Sequence, residues 1–156
     1  MFYGGRLLCH LSATDPEVEE FISLRRLNRQ IAIVIDSDRA KAQDELNATK
    51  RRIAKEFDST SGFVWITQGR EIENYVPLTL VEEAVRASHN NVAQLKHSNK
   101  YEHVLYYKST DGKTKTDTDK VKVAHYIARQ PANLDVFDLR ANIQKMVEFI
   151  RNANGL

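Results

Sequence analysis

The sequence predicts an α/β fold: a mostly parallel sheet flanked by helices, with an additional helical part toward the C-terminus. Three observations predict it. The runs Ile31-Ala-Ile-Val-Ile35 and Phe63-Val-Trp-Ile66 are short, apolar and rich in β-branched or aromatic residues, as in strands of a parallel sheet buried on both faces. Between them, residues 44–57 place Leu46, Ile53 and Phe57 on one helical stripe,. Strand, helix and strand in that order require a crossover connection and therefore parallel pairing.

The remaining elements follow in order. Leu7-Leu-Cys-His-Leu11 reads as a strand that begins after Gly4-Gly5. Thr14 or Asp15 with Pro16 marks a helix start, and Val18, Phe21, Ile22 and Arg25 give a face running to about Leu27. After the two apolar strands, a helix of about ten residues begins near Pro77, with Leu80, Ala84 and Val85 inward,. Residues 88–100 are polar and predict a surface excursion. Val104-Leu-Tyr-Tyr107 is a fourth candidate strand, and 109–118, built of Ser, Thr, Asp, Gly and Lys, reads as a solvated loop,. A helix over about 119–129 carries Val121, Ala124 and Ile127 and stops at Gln130-Pro131; the last helix, about 135–152, carries Leu139, Ile143, Val147 and Ile150. With no internal repeat and no linker composition, residues 1–156 read as a single domain,.

Composition narrows the class. With 156 residues, 42% hydrophobic and 28% charged, the chain is long enough for one α/β core and ordinary for a globular protein,. A net charge of +2 does not by itself advertise nucleic-acid binding. The basic clusters, Lys50-Arg51-Arg52 and the lysines of 108–122, read first as solvated faces,. One cysteine, Cys9, excludes an internal disulfide and a cysteine metal site, and the five histidines lack metal-ligand spacing,. No apolar stretch approaches the roughly 20 residues that span a bilayer, and Phe2-Tyr-Gly-Gly-Arg6 lacks a signal-peptide pattern,. A cytoplasmic protein with no membrane partner is expected.

The chemistry concentrates at the ends of the two apolar strands. The first stops on Asp36-Ser-Asp38, whose acids are two apart and share a side of an extended backbone,. The second is followed by Gly69-Arg70-Glu71-Ile72-Glu73-Asn74-Tyr75. Open α/β sheets bind ligands at the carboxyl ends of their strands. Adjacent parallel strands would bring Asp36, Asp38, Glu71 and Glu73 to one edge. Clustered like charges are costly unless a cation or a basic group offsets them, and Mg²⁺ or Mn²⁺ is the natural candidate for hard carboxylate oxygens. Such clusters clamp the attacking and leaving oxygens of a phosphodiester. Acids that merely stabilise a helix N-terminus are the plainer reading of Glu71 and Glu73.

Together these two segments, Asp-Ser-Asp-Arg and Gly-Arg-Glu-Ile-Glu-Asn-Tyr-Val, resemble the Toprim domain of the OLD (overcoming lysogenization defect) family of ATP-dependent endonucleases. Phe2-Tyr-Gly-Gly5 is similar to that domain's second strand. The resemblance covers residues 2 to about 85 well and the rest loosely. It implies a Toprim-like (Rossmann-like) sheet, Asp36 and Asp38 as the Asp-x-Asp metal ligands, and Glu71 and Glu73 as the acidic segment, with Glu73 the stronger of the two. It also implies a basic residue near the metals in the C-terminal part. Lys120 and Lys122 are the candidates. Residues two apart on a helix face different ways, and Lys120 is preferred. Catalytic residues would then be Asp36, Asp38, Glu73 and Lys120. The implied cofactor is Mg²⁺ or Mn²⁺, with ATP bound only by the ATPase domain of a parent protein. The implied partners are DNA, that ATPase domain and a second copy in a homodimer.

One departure matters. The family carries a glutamate after a first strand that precedes the Gly-Gly strand, and here the Gly-Gly strand begins at residue 3. The resemblance therefore implies a C-terminal piece, without the first strand or the ATPase, that is incomplete for catalysis alone. Two other classes stay open. One is a non-catalytic interaction or remnant module. The other is an aspartate-dependent phosphatase or phosphoryl-transfer domain, which would explain Asp36-Ser-Asp38 but not Gly69–Tyr75.

Overall fold

Strand β1 (Ala32–Ile35) pairs in parallel with β2 (Phe63–Ile66), Ala32 opposite Phe63 and Ile35 opposite Ile66. The computed structural model describes residues 30–58, 62–95, 99–116 and 118–156. The expected strand at 7–11 and helix at 15–27 lie outside them. Period-two alternation puts Ile31, Ile33 and Ile35 with Val64 and Ile66 on one face. There they pack against Ile53 and Phe57 of α1 (Ala48–Asp58). On the other face Trp65 is buried edge-on against Tyr75, ring centres 5.3 Å apart, and Tyr75 meets Phe137 at 5.5 Å. β1 is not buried on both faces as expected. Val34 is 41% exposed, because α1 covers only the isoleucine side.

Helix α1 also starts later than its apolar stripe suggests. The Asp44 carboxylate accepts from the amides of Ala40 and Lys41, at 2.9 and 3.0 Å, and closes a turn of its own. Asn47 then caps the helix, its side-chain oxygen accepting from Lys50 N–H at 2.8 Å,.

A 3-10 turn (Ile72–Tyr75) leads to α2 (Leu78–Ser88), with Pro77 just ahead of it,. Val81, Ala84 and Val85 are fully buried, whereas Leu80 is only half-buried. They meet a three-stranded antiparallel sheet of β3 (Val92–Leu95), β4 (Tyr107–Ser109) and β5 (Thr114–Lys115), in the order β3-β4-β5. Helix α3 (Lys120–Ile127) closes this core with Val123. Helix α4 (Leu139–Ala153) lies beside β2, with Phe149 and Phe63 ring centres 6.1 Å apart.

The fold class is therefore α/β, but the described strands divide into a parallel pair and an antiparallel triplet rather than one mostly parallel sheet. Several local expectations change with it. The polar stretch 88–100 holds β3, whose Val92 and Leu95 alone turn inward across a register irregularity. The strand expected at 104–107 begins only at Tyr107; Val104 and Leu105 are buried within a turn. The first part of the expected loop 109–118 belongs to a hairpin of β4 and β5 that ends at Lys115, turned at Gly112 with φ 81°,. On α3 the inward position is Val123, and Val121 is 66% exposed. On α4, Val147 and Ile150 are 42% and 50% exposed, so the expected buried stripe is half open. Among the described residues no helix is long and apolar enough to cross a membrane.

Burial sets the cost of truncation. Val81→Ala, at a fully buried site, should destabilise by about 2–3 kcal/mol through lost transfer energy plus a cavity. Val147→Ala on the open face should cost under about 0.5 kcal/mol. Denaturant melts of the two variants check the contrast.

Candidate functional site

Because β1 and β2 are parallel and in register, both chains leave the sheet at the same edge. Hydrogen bonds then hold the two exits together. Thr67 N–H donates to Ile35 C=O at 3.0 Å and extends the ladder by one rung. Ser37 N–H donates to Thr67 Oγ1 at 2.8 Å, and both hydroxyls donate to Gly69 C=O, from Ser37 at 2.6 Å and Thr67 at 2.9 Å. Asp38 N–H reaches Arg70 C=O at 2.9 Å. Asp38 has φ 56°, in the left-handed region that aspartate tolerates better than most residues,. A Cβ at Gly69 would lie 2.8 Å from Asn74 Cβ and 3.1 Å from Lys100 C=O. The tight approach of loop to turn thus requires glycine.

This frame brings the acids together. Asp36 Oδ1 accepts from Ile72 N–H at 2.8 Å, across the two exits. Burial raises the Asp36 pKa to about 6; the Ile72 hydrogen bond opposes the rise, and the charges of Glu73, Glu71 and Asp38 add to it,. Asp38 pairs with the Lys50 ammonium, which also donates to Asp36 C=O at 2.6 Å. Glu71 Oε1 lies 2.7 Å from His103 Nδ1, and the imidazole stacks on Tyr106 with centres 4.4 Å apart. Glu73 Oε1 accepts from Lys120 Nζ at 2.7 Å. Burial alone would lower the Lys120 pKa, but the Glu73 hydrogen bond and the charges of Glu73, Glu71 and Asp36 outweigh it and raise it.

Asp36, Asp38, Glu71, Glu73 and Lys120 thus converge on one edge from β1, the turn after β2 and α3. Lys122 does not join them; its ammonium lies 3.2 Å from Asp119, which caps α3 by accepting from Lys122 N–H at 3.0 Å. No family model, curated protein or solved structure matches this chain.

Sequence reasoning passes over two participants. Lys50 reads there as part of a solvated basic cluster, yet it is 2% exposed and neutralises Asp38. A single signal for it exists, its place in the first turn of α1 just after the Asn47 cap. His103 gives no sequence signal, because the turn that brings it to Glu71 comes from a distant segment.

The donors are hard oxygens of the kind that Mg²⁺ and Mn²⁺ prefer. Their arrangement is not that of a formed metal site. Among the described residues no group of three or more His, Cys, Asp or Glu is gathered to hold an ion, and Asp38, Glu71 and Glu73 each rest against a basic side chain. Asp36 makes no salt bridge among the described residues.

The raised Asp36 pKa has a sign. The folded state holds this proton more tightly than the unfolded state, so the group's contribution is full below pH 3.8 and is lost as pH rises through about 6,. At neutral pH the ionised carboxylate is therefore a destabilising group. Asp36→Asn keeps an acceptor for Ile72 N–H and should raise stability by about 1–2 kcal/mol at pH 7.5, after discounting for solvent screening. The gain should vanish near pH 4. Melting temperatures of both proteins across that range check it.

Proposed function

We propose that this acidic edge serves phosphodiester hydrolysis in DNA, as the Toprim-like module of an OLD-type nuclease. The supporting observation is the convergence of Asp36, Asp38 and Glu73 with Lys120 at the carboxyl end of a parallel strand pair,. Asp36 is the telling member, a half-buried carboxylate set among three others with no salt bridge among the described residues,. Asp36, Asp38 and Glu73 are the oxygens that would hold Mg²⁺ or Mn²⁺, which when bound activates water and offsets phosphate charge. Lys120 supplies a mobile positive charge to a non-bridging phosphate oxygen, and its exposure leaves it free to exchange Glu73 for that oxygen,. The Glu71–His103 contact fixes the turn that carries Glu73. In this reading the ATPase domain of a parent protein supplies ATP dependence, and a second copy completes a homodimer.

A second reading, a non-catalytic interaction module, draws on a specific observation. Lys50 and Lys120 already pair with Asp38 and Glu73, and Glu71 rests against His103, so three of the four acids have a partner within the described residues.

Melting with and without Mn²⁺ or Mg²⁺ separates the two. The hydrolytic reading expects a rise in melting temperature with metal that disappears in Asp36→Asn/Asp38→Asn. No response in the unsubstituted chain, or the same response in the double variant, favours the interaction module. Cleavage of supercoiled plasmid by the gene's full-length product then tests the lysines. Lys120→Ala should lose roughly 10- to 150-fold in rate, the worth of one charge-assisted contact made in the transition state. Lys122→Ala should lose little. Equal loss in both would remove Lys120 from the mechanism.

A further inference from the structure

We propose that Arg39 and Arg70 form a binding site for a phosphate group of a nucleic-acid backbone, beside the acidic edge. The two arginines sit on the segments that carry the acids, Arg39 directly after Asp38 and Arg70 directly before Glu71. Both are half-buried, and the Nε of each is buried without a hydrogen-bond partner among the described residues. Neither makes an ion pair among those residues. Three of the four neighbouring carboxylates, Asp38, Glu71 and Glu73, rest instead against Lys50, His103 and Lys120. A guanidinium N–H withdrawn from water without an acceptor is costly. An oxyanion is the acceptor such a donor lacks, and the planar fork of arginine matches two phosphate oxygens at once.

The backbones of the pair are fixed close together. Arg39 N–H donates to Ser37 Oγ at 3.3 Å, and that hydroxyl in turn lies 3.4 Å from Arg70 C=O. Asp38 N–H donates to the same carbonyl, and Arg70 N–H donates to Lys100 C=O at 2.8 Å. Both side chains therefore start from one hydrogen-bonded strap, so little backbone entropy is lost when a ligand bridges them.

Charge decides whether a phosphate can approach. Asp36, Asp38, Glu71 and Glu73 alone would repel it. Lys50 and Lys120 pair with two of those acids, and Arg39 and Arg70, next in the chain to Asp38 and Glu71, carry a formal charge equal to that of the other two. The formal charges of these eight residues then sum to zero, and the donors without an acceptor are on the arginines. The identity of the ligand rests on the DNA reading above; the site itself rests on the unpartnered guanidinium atoms.

The experiment is fluorescence anisotropy of a short labelled single-stranded oligonucleotide in EDTA, over a series of KCl concentrations. Arg39→Gln/Arg70→Gln should bind at least about tenfold more weakly. Its log–log salt dependence should be shallower by about 0.7 for each arginine removed. Its melting temperature should be unchanged or higher, because two unsatisfied buried donors are gone. Should that variant fail to fold, Arg39→Lys/Arg70→Lys carries the test, with weaker binding at an unchanged salt slope expected from loss of the fork alone. Unaltered affinity and slope in either folded double variant overturn the proposal. So does binding of inorganic phosphate without binding of the oligonucleotide. Because the measurement excludes metal, failure of the hydrolytic reading would appear in the Mn²⁺ and Mg²⁺ melts and not here.

Discussion

The buried ammonium of Lys50 is the constraint on which the acidic edge depends. A lysine that is 2% exposed must have its charge matched and its protons accepted,. Both demands are met from the end of β1, by the Asp38 carboxylate and the Asp36 carbonyl. Asp38 can take the ammonium because its backbone turns into the left-handed region, and that turn is held by Arg70 C=O. One cation thus links the first turn of α1, the end of β1 and the turn that follows β2. Removing its partner would leave the buried ammonium with only the Asp36 carbonyl to accept from it, which destabilises the fold,. The geometry of the other acids is downstream of this link.

Parallel, in-register pairing explains why those acids meet at all. Antiparallel pairing would send the two exits to opposite edges. Here they leave together, and the hydroxyls of Ser37 and Thr67 satisfy the loop carbonyl at Gly69 so that the exits stay in contact. The second core then delivers the remaining pieces. Packing of Val123 against Val81, Ala84 and Val85 seats α3 on α2, and this sets Lys120 rather than Lys122 over Glu73. The turn after Lys100 brings His103 to Glu71.

What was legible in the sequence follows the range of the forces involved. The strands 32–35 and 63–66 announce themselves through local runs of β-branched and aromatic residues, and Pro77 marks the start of α2. The acids at the strand ends were legible for the same reason, being part of short motifs. Elements whose burial depends on distant partners were not. β3 turns only Val92 and Leu95 inward, too sparse an alternation to register. The hairpin at Gly112 carries the Asp-Gly signal of a tight turn, but its flanks are lysine and threonine rather than apolar residues,. Helix α4 has a regular apolar stripe, and periodicity alone does not say whether a partner covers it. Lys50 and His103 become site residues only through contacts far apart in sequence, which a linear pattern does not encode.

The basic partners of the acids differ in strength, and the difference bears on how the edge could act. The Lys120–Glu73 pair is a surface pair, with the lysine side chain 65% exposed, and such pairs contribute about 0–1 kcal/mol. A phosphate oxygen or a divalent cation competes with it at little cost. The Lys50–Asp38 pair has its ammonium buried and a backbone carbonyl as second acceptor, so the same competitor would have to strand a charge to displace it. A competitor would therefore displace Lys120 from Glu73 before it displaced Lys50, which keeps Asp38 and the end of β1 in place. If the edge admits a charged substrate, as proposed above, this asymmetry would let one contact yield while the other holds the frame.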